Sequence, residues 1–320
     1  MSYERKNTTP VADIPLPKSY ATFHLPDIRF QHHPASSPTV TPVVLVVLDR
    51  PKAKNAFSPD MARSLITAFG LLSRDARVRC VVLTGSDMTN NRTFCAGADL
   101  DIGFPTGVDT RTNHRDSGGS VSLAIHRCHK PVIAAMNGSG VGVGITMTLP
   151  ADIRVASNKG KYGFVFSRRG LVMEACSSYF LPRLIGRSAA VYLTTTGSAL
   201  PASHKMLAPL FAEIVDPDKV LPTALGLAED IAANTSPVST RVMKDMLYSG
   251  PDTPEEAHLL ESSLLFQRFQ GRDLQEGIAS FKEKRAPNFK GTMEEDGPVE
   301  WPWWDTKVIE RADEVEKARL

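Results

Sequence analysis

Lys130-Pro131-Val132-Ile133-Ala134-Ala135-Met136-Asn137-Gly138-Ser139-Gly140-Val141-Gly142-Val143-Gly144 is the stretch on which the fold turns. Its first half is a short apolar run that suits a strand buried on both faces, and its second half is a Gly-rich turn that opens a helix. Such a turn can present backbone N–H groups to an anion or to an oxygen that gains charge. A nucleotide fits it poorly. The Gly-Lys-Ser/Thr ending of a phosphate loop is missing, and the G-x-G-x-x-G spacing stands in the wrong context.

The same alternation extends in both directions. Toward the N-terminus, the β-branched run Val43 to Leu48 ends in Asp49-Arg50-Pro51. Ser58 then N-caps a helix with Pro59 at its first position, and Met61, Leu65, Phe69 and Leu72 form its apolar face. A strand at Cys80-Val81-Val82-Leu83 ends in Thr84-Gly85 and leads to a second small-residue turn, Asn91-Arg-Thr-Phe-Cys-Ala-Gly-Ala-Asp-Leu100, and a helix from about Gly119 to Cys128. That turn is either a tight strand-to-helix connection or a place where a ligand meets the main chain. Toward the C-terminus, Asp152 to Ala156 and Lys161 to Phe164 read as strands. From Tyr179 the pattern is helical, closing in an amphipathic segment from about Pro254 to Lys284. Strands alternating with helices, then helices alone, predict an α/β core with a C-terminal helical region. The expected boundaries are an extension over 1–40 with strand character near Tyr20 to Phe30, a core over 41–200, a helical region over 201–290 and a tail over 291–320. Trp301, Trp303 and Trp304 in that tail read as a clamp rather than a ligand cage.

Composition narrows the function classes. The 320 residues are 42% hydrophobic, enough for one large core or a core with a smaller helical subdomain. Lys and Arg total 37 against 35 Asp and Glu, so a net charge of +2 supplies no field that would draw nucleic acid. Cys80, Cys95, Cys128 and Cys176 lack C-x-x-C spacing and are read as reduced, intracellular thiols, with no metal site. No apolar run approaches the roughly 20 residues that cross a bilayer, so a soluble, unsecreted protein without a membrane partner is expected. The chain ends in Ala318-Arg319-Leu320, a small-basic-Leu tripeptide similar to the Ser-Lys-Leu type of peroxisomal signal.

Together the two turns resemble those of the crotonase, or enoyl-CoA hydratase/isomerase, superfamily. The first matches Phe-x-Ala-Gly-Ala-Asp-Leu, and the second follows Lys-Pro-x-Ile-Ala-Ala-x-Asn-Gly. Arg50-Pro-Lys-Ala-Lys-Asn-Ala56, Ala151-Asp-Ile-Arg-Val-Ala156, Leu181-Pro-Arg-Leu-Ile-Gly186 and Gly277-Ile-Ala-Ser-Phe-Lys-Glu-Lys-Arg285 extend the likeness. The resemblance implies a superhelix of ββα units, C-terminal helices that build a homotrimer or a dimer of trimers, and an acyl-CoA thioester substrate. No cofactor is implied beyond the coenzyme A of the substrate. It also implies an oxyanion hole formed by the main-chain N–H groups of Ala98 and Val143, which binds the thioester oxygen more tightly as it becomes an enolate. Coenzyme A would lie along Ala96, Gly97, Asp99 and Leu100, with Lys52 and Lys54, and Phe281 and Lys284, near its phosphates and adenine. The alternative for these lysines is ordinary solvated surface.

At the base the sequence departs from the hydratases of this superfamily. Where they carry two glutamates it has Thr146 and Phe166, neither of which can accept a proton as a carboxylate does. A different carboxylate, Glu174 in Val172-Met-Glu-Ala-Cys176, matches the catalytic glutamate of the Δ3-Δ2-enoyl-CoA isomerases. Its apolar neighbours would raise its pKa. The plain alternative is a surface glutamate at the start of a helix near Ser177. The resemblance thus implies isomerisation by one proton-shuttling carboxyl, and an organelle in which fatty acyl-CoA is processed gives Ala318-Arg319-Leu320 a context. A peroxisomal import receptor would then be a partner, the cytoplasm being the alternative location. A hydratase or dehydratase of a secondary-metabolite acyl-CoA, and a non-catalytic acyl-CoA-binding protein, are the competing functions.

Overall fold

The computed structural model describes residues 11–86, 93–103, 110 and 113–304. The chain divides into two compact units, residues 1–226 and 227–320.

In the first unit, β1 (Ile28–His33) and β2 (Val43–Leu48) precede α1 (Pro59–Arg74). Three repeats then follow: β3 (Cys80–Gly85), β4 (Thr93–Cys95) and α2 (Ser117–His126); β5 (Val132–Met136), β6 (Ser139–Val141) and α3 (Val143–Thr146); β7 (Ile153–Ser157), β8 (Lys161–Gly163) and α4 (Ser177–Ile185). After them come α5 (Arg187–Thr196), β9 (Leu200–Pro201), β10 (Glu213–Val215) and the start of α6 (Val220–Asn234). The first strand of each repeat enters a six-stranded sheet of order β1-β2-β3-β5-β7-β10, and the second enters a small sheet of order β4-β6-β8-β9. The large sheet is parallel except at its β1 edge. Every residue of β2, β3 and β5 is buried, as in parallel strands covered on both faces. Ser58 caps α1 by accepting from the Met61 N–H at 2.9 Å, an interaction worth about 1 kcal/mol in such helices. The helix buries Met61, Leu65, Phe69 and Leu72.

Two expected boundaries move. β1 lies inside the supposed extension, yet it pairs with β2 along its whole length, from Ile28 opposite Leu48 to His33 opposite Val43. β10 lies inside the supposed helical region and pairs in parallel with β7. β1 lies at the end of the stretch expected to have strand character, shifted to Ile28–His33, whereas β10 has three residues, too few for hydrophobic alternation to reveal, and its neighbouring strand decides it.

The second unit contains α7 (Pro237–Ser249), α8 (Pro254–Phe269), α9 (Arg272–Glu283) and α10 (Met293–Asp296). The single amphipathic segment expected over 254–284 is two helices, broken at Gln270-Gly271. Val238, Val242 and Leu264 form its core, with Met246, Leu260, Met293 and Trp303 around them. The Trp301 Nε1–H donates to Asp245 Oδ2 at 2.7 Å and the Trp303 Nε1–H to the Ser249 carbonyl at 3.0 Å, so the tail is fastened to α7. Among the described residues no helix is long and apolar enough to cross a membrane.

Candidate active site

Because β4 and β6 are parallel neighbours, the turns that leave them stand side by side. Two asparagines fix these turns. Buried Asn55 accepts from the Arg50 N–H at 3.0 Å and donates to the Phe94 carbonyl at 3.2 Å; Asn137 exchanges two hydrogen bonds with the main chain of Gly85. Gly97 takes a left-handed φ of 95°, and a Cβ there would meet the Val141 carbonyl at 3.0 Å. A Cβ on Gly144 would fall 2.4 Å from the Cys95 carbonyl. These glycines allow the turns to touch, a use that the sequence reading did not separate from ligand approach.

Ala98 forms a parallel bridge with Phe57: the Phe57 N–H donates to Gly97 O at 2.8 Å and the Asp99 N–H to Phe57 O at 3.0 Å. In that pattern the N–H of the central residue points away from the bridge, so Ala98 turns its donor toward the other side. Val143 is the first residue of α3 and follows Gly142 at φ 54°, which leaves its N–H among the unpaired donors of a helix start. These are the two amides assigned to the oxyanion hole.

Glu174 has reached the same region from far along the chain. Its Oε1 accepts a hydrogen bond from the hydroxyl of Thr146, on α3. Its Oε2 occupies the space where Gly118 lacks a side chain, 2.0 Å from the point a Cβ would take; Val143 Cγ2 lies 3.2 Å from that point. Burial raises the Glu174 pKa to about 7, with the Thr146 hydrogen bond opposing and the Asp116 charge assisting the rise. The carboxyl does not cap α4. That helix starts after Cys176 without a side-chain cap, and it is the main-chain carbonyl of Glu174 that accepts from the Ser177 N–H at 2.9 Å.

The apolar surroundings are only partly the ones expected. Val172 is 84% exposed, but Ala175 is fully buried with its Cβ 3.3 Å from the same Gly118 point, so desolvation comes from Ala175 together with α2 and α3. Of the two residues at hydratase-glutamate positions, Thr146 touches Glu174, whereas Phe166 is buried and its carbonyl braces the loop to Leu171. Asp116 and Gly118 escaped sequence reading altogether. Asp-Ser-Gly-Gly is visible as a helix start, but nothing local links it to residue 174.

Lys52 and Lys54 are exposed beside the first turn, since the Ala96 N–H donates to the Lys54 carbonyl at 3.1 Å. Leu100 is exposed at its end. The Asp99 carboxylate is taken by Arg50 at 2.8 Å, which holds its pKa below the usual carboxylate range. Phe281 and Lys284 belong to the second unit, Phe281 exposed on α9 and Lys284 at that helix's left-handed C-cap. Among the described residues no group of His, Cys, Asp and Glu is placed to hold a metal ion.

A family model for enoyl-CoA hydratase/isomerase matches residues 39–292. The chain is similar to the enoyl-CoA hydratase AFT3-1 of Alternaria alternata, 46% identical over 81% of this chain and 86% of that one. It is also similar to the 1,2-epoxyphenylacetyl-CoA isomerase of Escherichia coli, 31% identical over 78% of this chain and 95% of that one. Among solved structures, an enoyl-CoA hydratase from Bacillus anthracis superposes with a TM-score of 0.72 at 27% identity, covering 83% of this chain and all of that one, 100%.

Proposed function

The chain belongs to the enoyl-CoA hydratase/isomerase family, and from that premise we propose that it is a Δ3-Δ2-enoyl-CoA isomerase in which Glu174 alone moves the proton. The observation that carries this reading is one carboxyl, raised to about 7, facing the two turns, with Thr146 where a hydratase has its first glutamate. Glu174 as carboxylate removes a C2 proton from a 3-enoyl-CoA. The electron pair of that C–H bond enters the C1–C2 bond and displaces the carbonyl π pair onto the thioester oxygen, which the Ala98 and Val143 amides hold; as the carbonyl re-forms, the C1–C2 π pair moves into the C2–C3 bond. The C3–C4 π pair then takes the proton back from Glu174 at C4, and the double bond ends in conjugation with the carbonyl. A group with a pKa near 7 serves both as base and as acid at neutral pH.

A second reading is hydration or dehydration of a specialised acyl-CoA. It is favoured by the hydratase name of the Alternaria relative and by a second carboxylate, Asp116, whose charge reaches Glu174. Incubating a 3-enoyl-CoA in D₂O and in H₂¹⁸O separates the readings by mass spectrometry. Isomerisation exchanges C2 and C4 protons and gains no solvent oxygen; hydration gains one. Glu174→Gln is expected to bind acyl-CoA and lose exchange by about 10⁴-fold, the amide having no site for the proton. Turnover within a few-fold of the parent would move the base elsewhere. Binding without any exchange in the unaltered protein would favour a non-catalytic acyl-CoA binder.

A further inference from the structure

The turn that carries Glu174 is conformationally costly. Ala175 and Cys176, both with side chains, sit in the left-handed region at φ 55°. Two such residues in succession cost about 1–2 kcal/mol each, so something outside the turn must hold it. The Ser177 N–H and hydroxyl grip the Glu174 carbonyl at 2.9 and 2.6 Å from the C-terminal side. From across the site, Asp116 Oδ1 accepts the Ala175 N–H at 3.2 Å. The same oxygen accepts the Gly119 N–H as the N-cap of α2. One carboxylate therefore joins the first turn of α2 to the residue after Glu174, and that first turn contains Gly118, the backbone against which Glu174 Oε2 rests. The two amides and the α2 N-terminus complement the negative charge of Asp116 where it faces Glu174.

We propose that Asp116 is the positioning residue of this site: it fixes the Glu174–Ala175 turn so that the Glu174 carboxyl faces Thr146 and Gly118, and it turns a negative charge toward that carboxyl. The proposal deepens the reading of Glu174 as the base and rests on it for its catalytic consequence. The titratable groups around Glu174 are Asp116 at the head of α2, the thiol of Cys95 on β4 and the thiol of Cys176 before α4; Arg127, at the end of α2, acts on Cys176. Of these, Asp116 is the one whose charge raises Glu174, by like-charge repulsion added to burial.

Asp116→Asn and Asp116→Ala, each in the full chain, test this. Asparagine keeps an oxygen for both N–H groups and removes the charge; alanine removes both. Two readouts are needed. The titration of Glu174 is followed by infrared difference spectroscopy of the protonated carboxyl band that disappears in Glu174→Gln. The pH profile of C2 exchange on a 3-enoyl-CoA is followed alongside. In Asp116→Asn the Glu174 midpoint should fall by about half a pH unit, with exchange above pH 8 within about threefold of the parent. In Asp116→Ala, kcat should fall about tenfold or more at little changed KM, since the base is displaced while the CoA contacts remain. An unmoved Glu174 midpoint in Asp116→Asn overturns the electrostatic part, and an unchanged kcat in Asp116→Ala overturns the positioning part. Loss of exchange in Asp116→Asn as complete as in Glu174→Gln at every pH would make Asp116 a substrate-contacting acid instead. The infrared midpoint reads Asp116 whether or not Glu174 is the base, so failure of the isomerase reading is seen separately, in Glu174→Gln. Should Asp116→Ala not fold, Asp116→Ser, which keeps an N-cap oxygen for α2 on a shorter side chain, takes its place in the kcat test, with the same outcomes.

Discussion

Thr146 has one hydroxyl hydrogen and two acceptors, Glu174 Oε1 and the Gly142 carbonyl at 3.2 Å. While Glu174 is a carboxylate, the hydrogen is best spent on it. Once Glu174 is protonated, its own O–H can donate to the threonine oxygen, which then turns to Gly142. Thr146 thus follows the proton without carrying it to substrate. The sign of its effect is definite: a hydrogen bond to the anion lowers a carboxyl pKa, so Thr146→Val should raise Glu174 further above about 7. The reactive form is the anion. The acidic limb of C2 exchange should therefore move up by about one pH unit, a loss of about fivefold at pH 7 that largely recovers by pH 9. A flat pH dependence of the ratio between variant and parent would show that Thr146 does not act through Glu174.

At the scale of elements, two glycines at helix starts separate a chemical from a structural requirement. In Gly118→Ala the new methyl would lie 2.0 Å from Glu174 Oε2, the free end of a side chain, which moves more easily than a backbone. Folding should survive while kcat falls about 100-fold, as displacement of a catalytic group by about 1 Å can cause. In Gly144→Ala the methyl would lie 2.4 Å from the Cys95 carbonyl, part of β4 itself. That clash pushes α3 away from β4, and a loss of stability of about 1–3 kcal/mol is expected in denaturant titration. Equal thermal stability of the two variants would contradict the distinction. Neither effect depends on the helices being long. α3 has only four residues, and its value lies in placing Val143 at a helix start and Thr146 one turn further on.

For the whole molecule, the second unit leaves two apolar stripes uncovered. On α8, Leu259 and Phe266 are seven residues apart with Phe269 three further on; on α9, Leu274, Ile278 and Phe281 recur at four and three. With Phe266 at 63% and Phe281 at 84% exposure, these stripes support the proposal that copies of the chain assemble through this unit. Light scattering should give a trimer mass or twice that, and Phe266→Asp together with Phe269→Asp should shift it toward the monomer. A monomer for the unaltered chain would end the proposal. Peroxisomal import is likewise a proposal, on a tripeptide that lies outside the described residues. Deleting Leu320 from a chain tagged at its N-terminus should disperse punctate fluorescence into the cytosol, and unchanged puncta would exclude the signal.

Sequence alone was enough for whatever is local or repeated. The strands at Val43, Cys80 and Pro131, the Ser58 cap, the two turns and the helical C-terminal region each follow from residues within a few positions of one another. The turns could be assigned to an enolate-stabilising family because their backbone geometry is written in small residues. Glu174 was legible only as a motif. Most of its environment was not, because a carboxyl is desolvated by what folds onto it: Thr146, Val143 and Gly118 come from 28 to 56 positions away, and of the apolar residues beside it in sequence Ala175 is buried with it while Val172 is exposed. Asp116 had no signal at all, being an ordinary N-cap until the tertiary fold brings the Ala175 amide to it. The edge strand β10 and the pairing of β1 were hidden for the same reason, since a short strand acquires its hydrogen bonds from a neighbour it does not specify. Local propensity and pattern set the elements, whereas desolvation and like-charge repulsion act through space and exist only once those elements are packed.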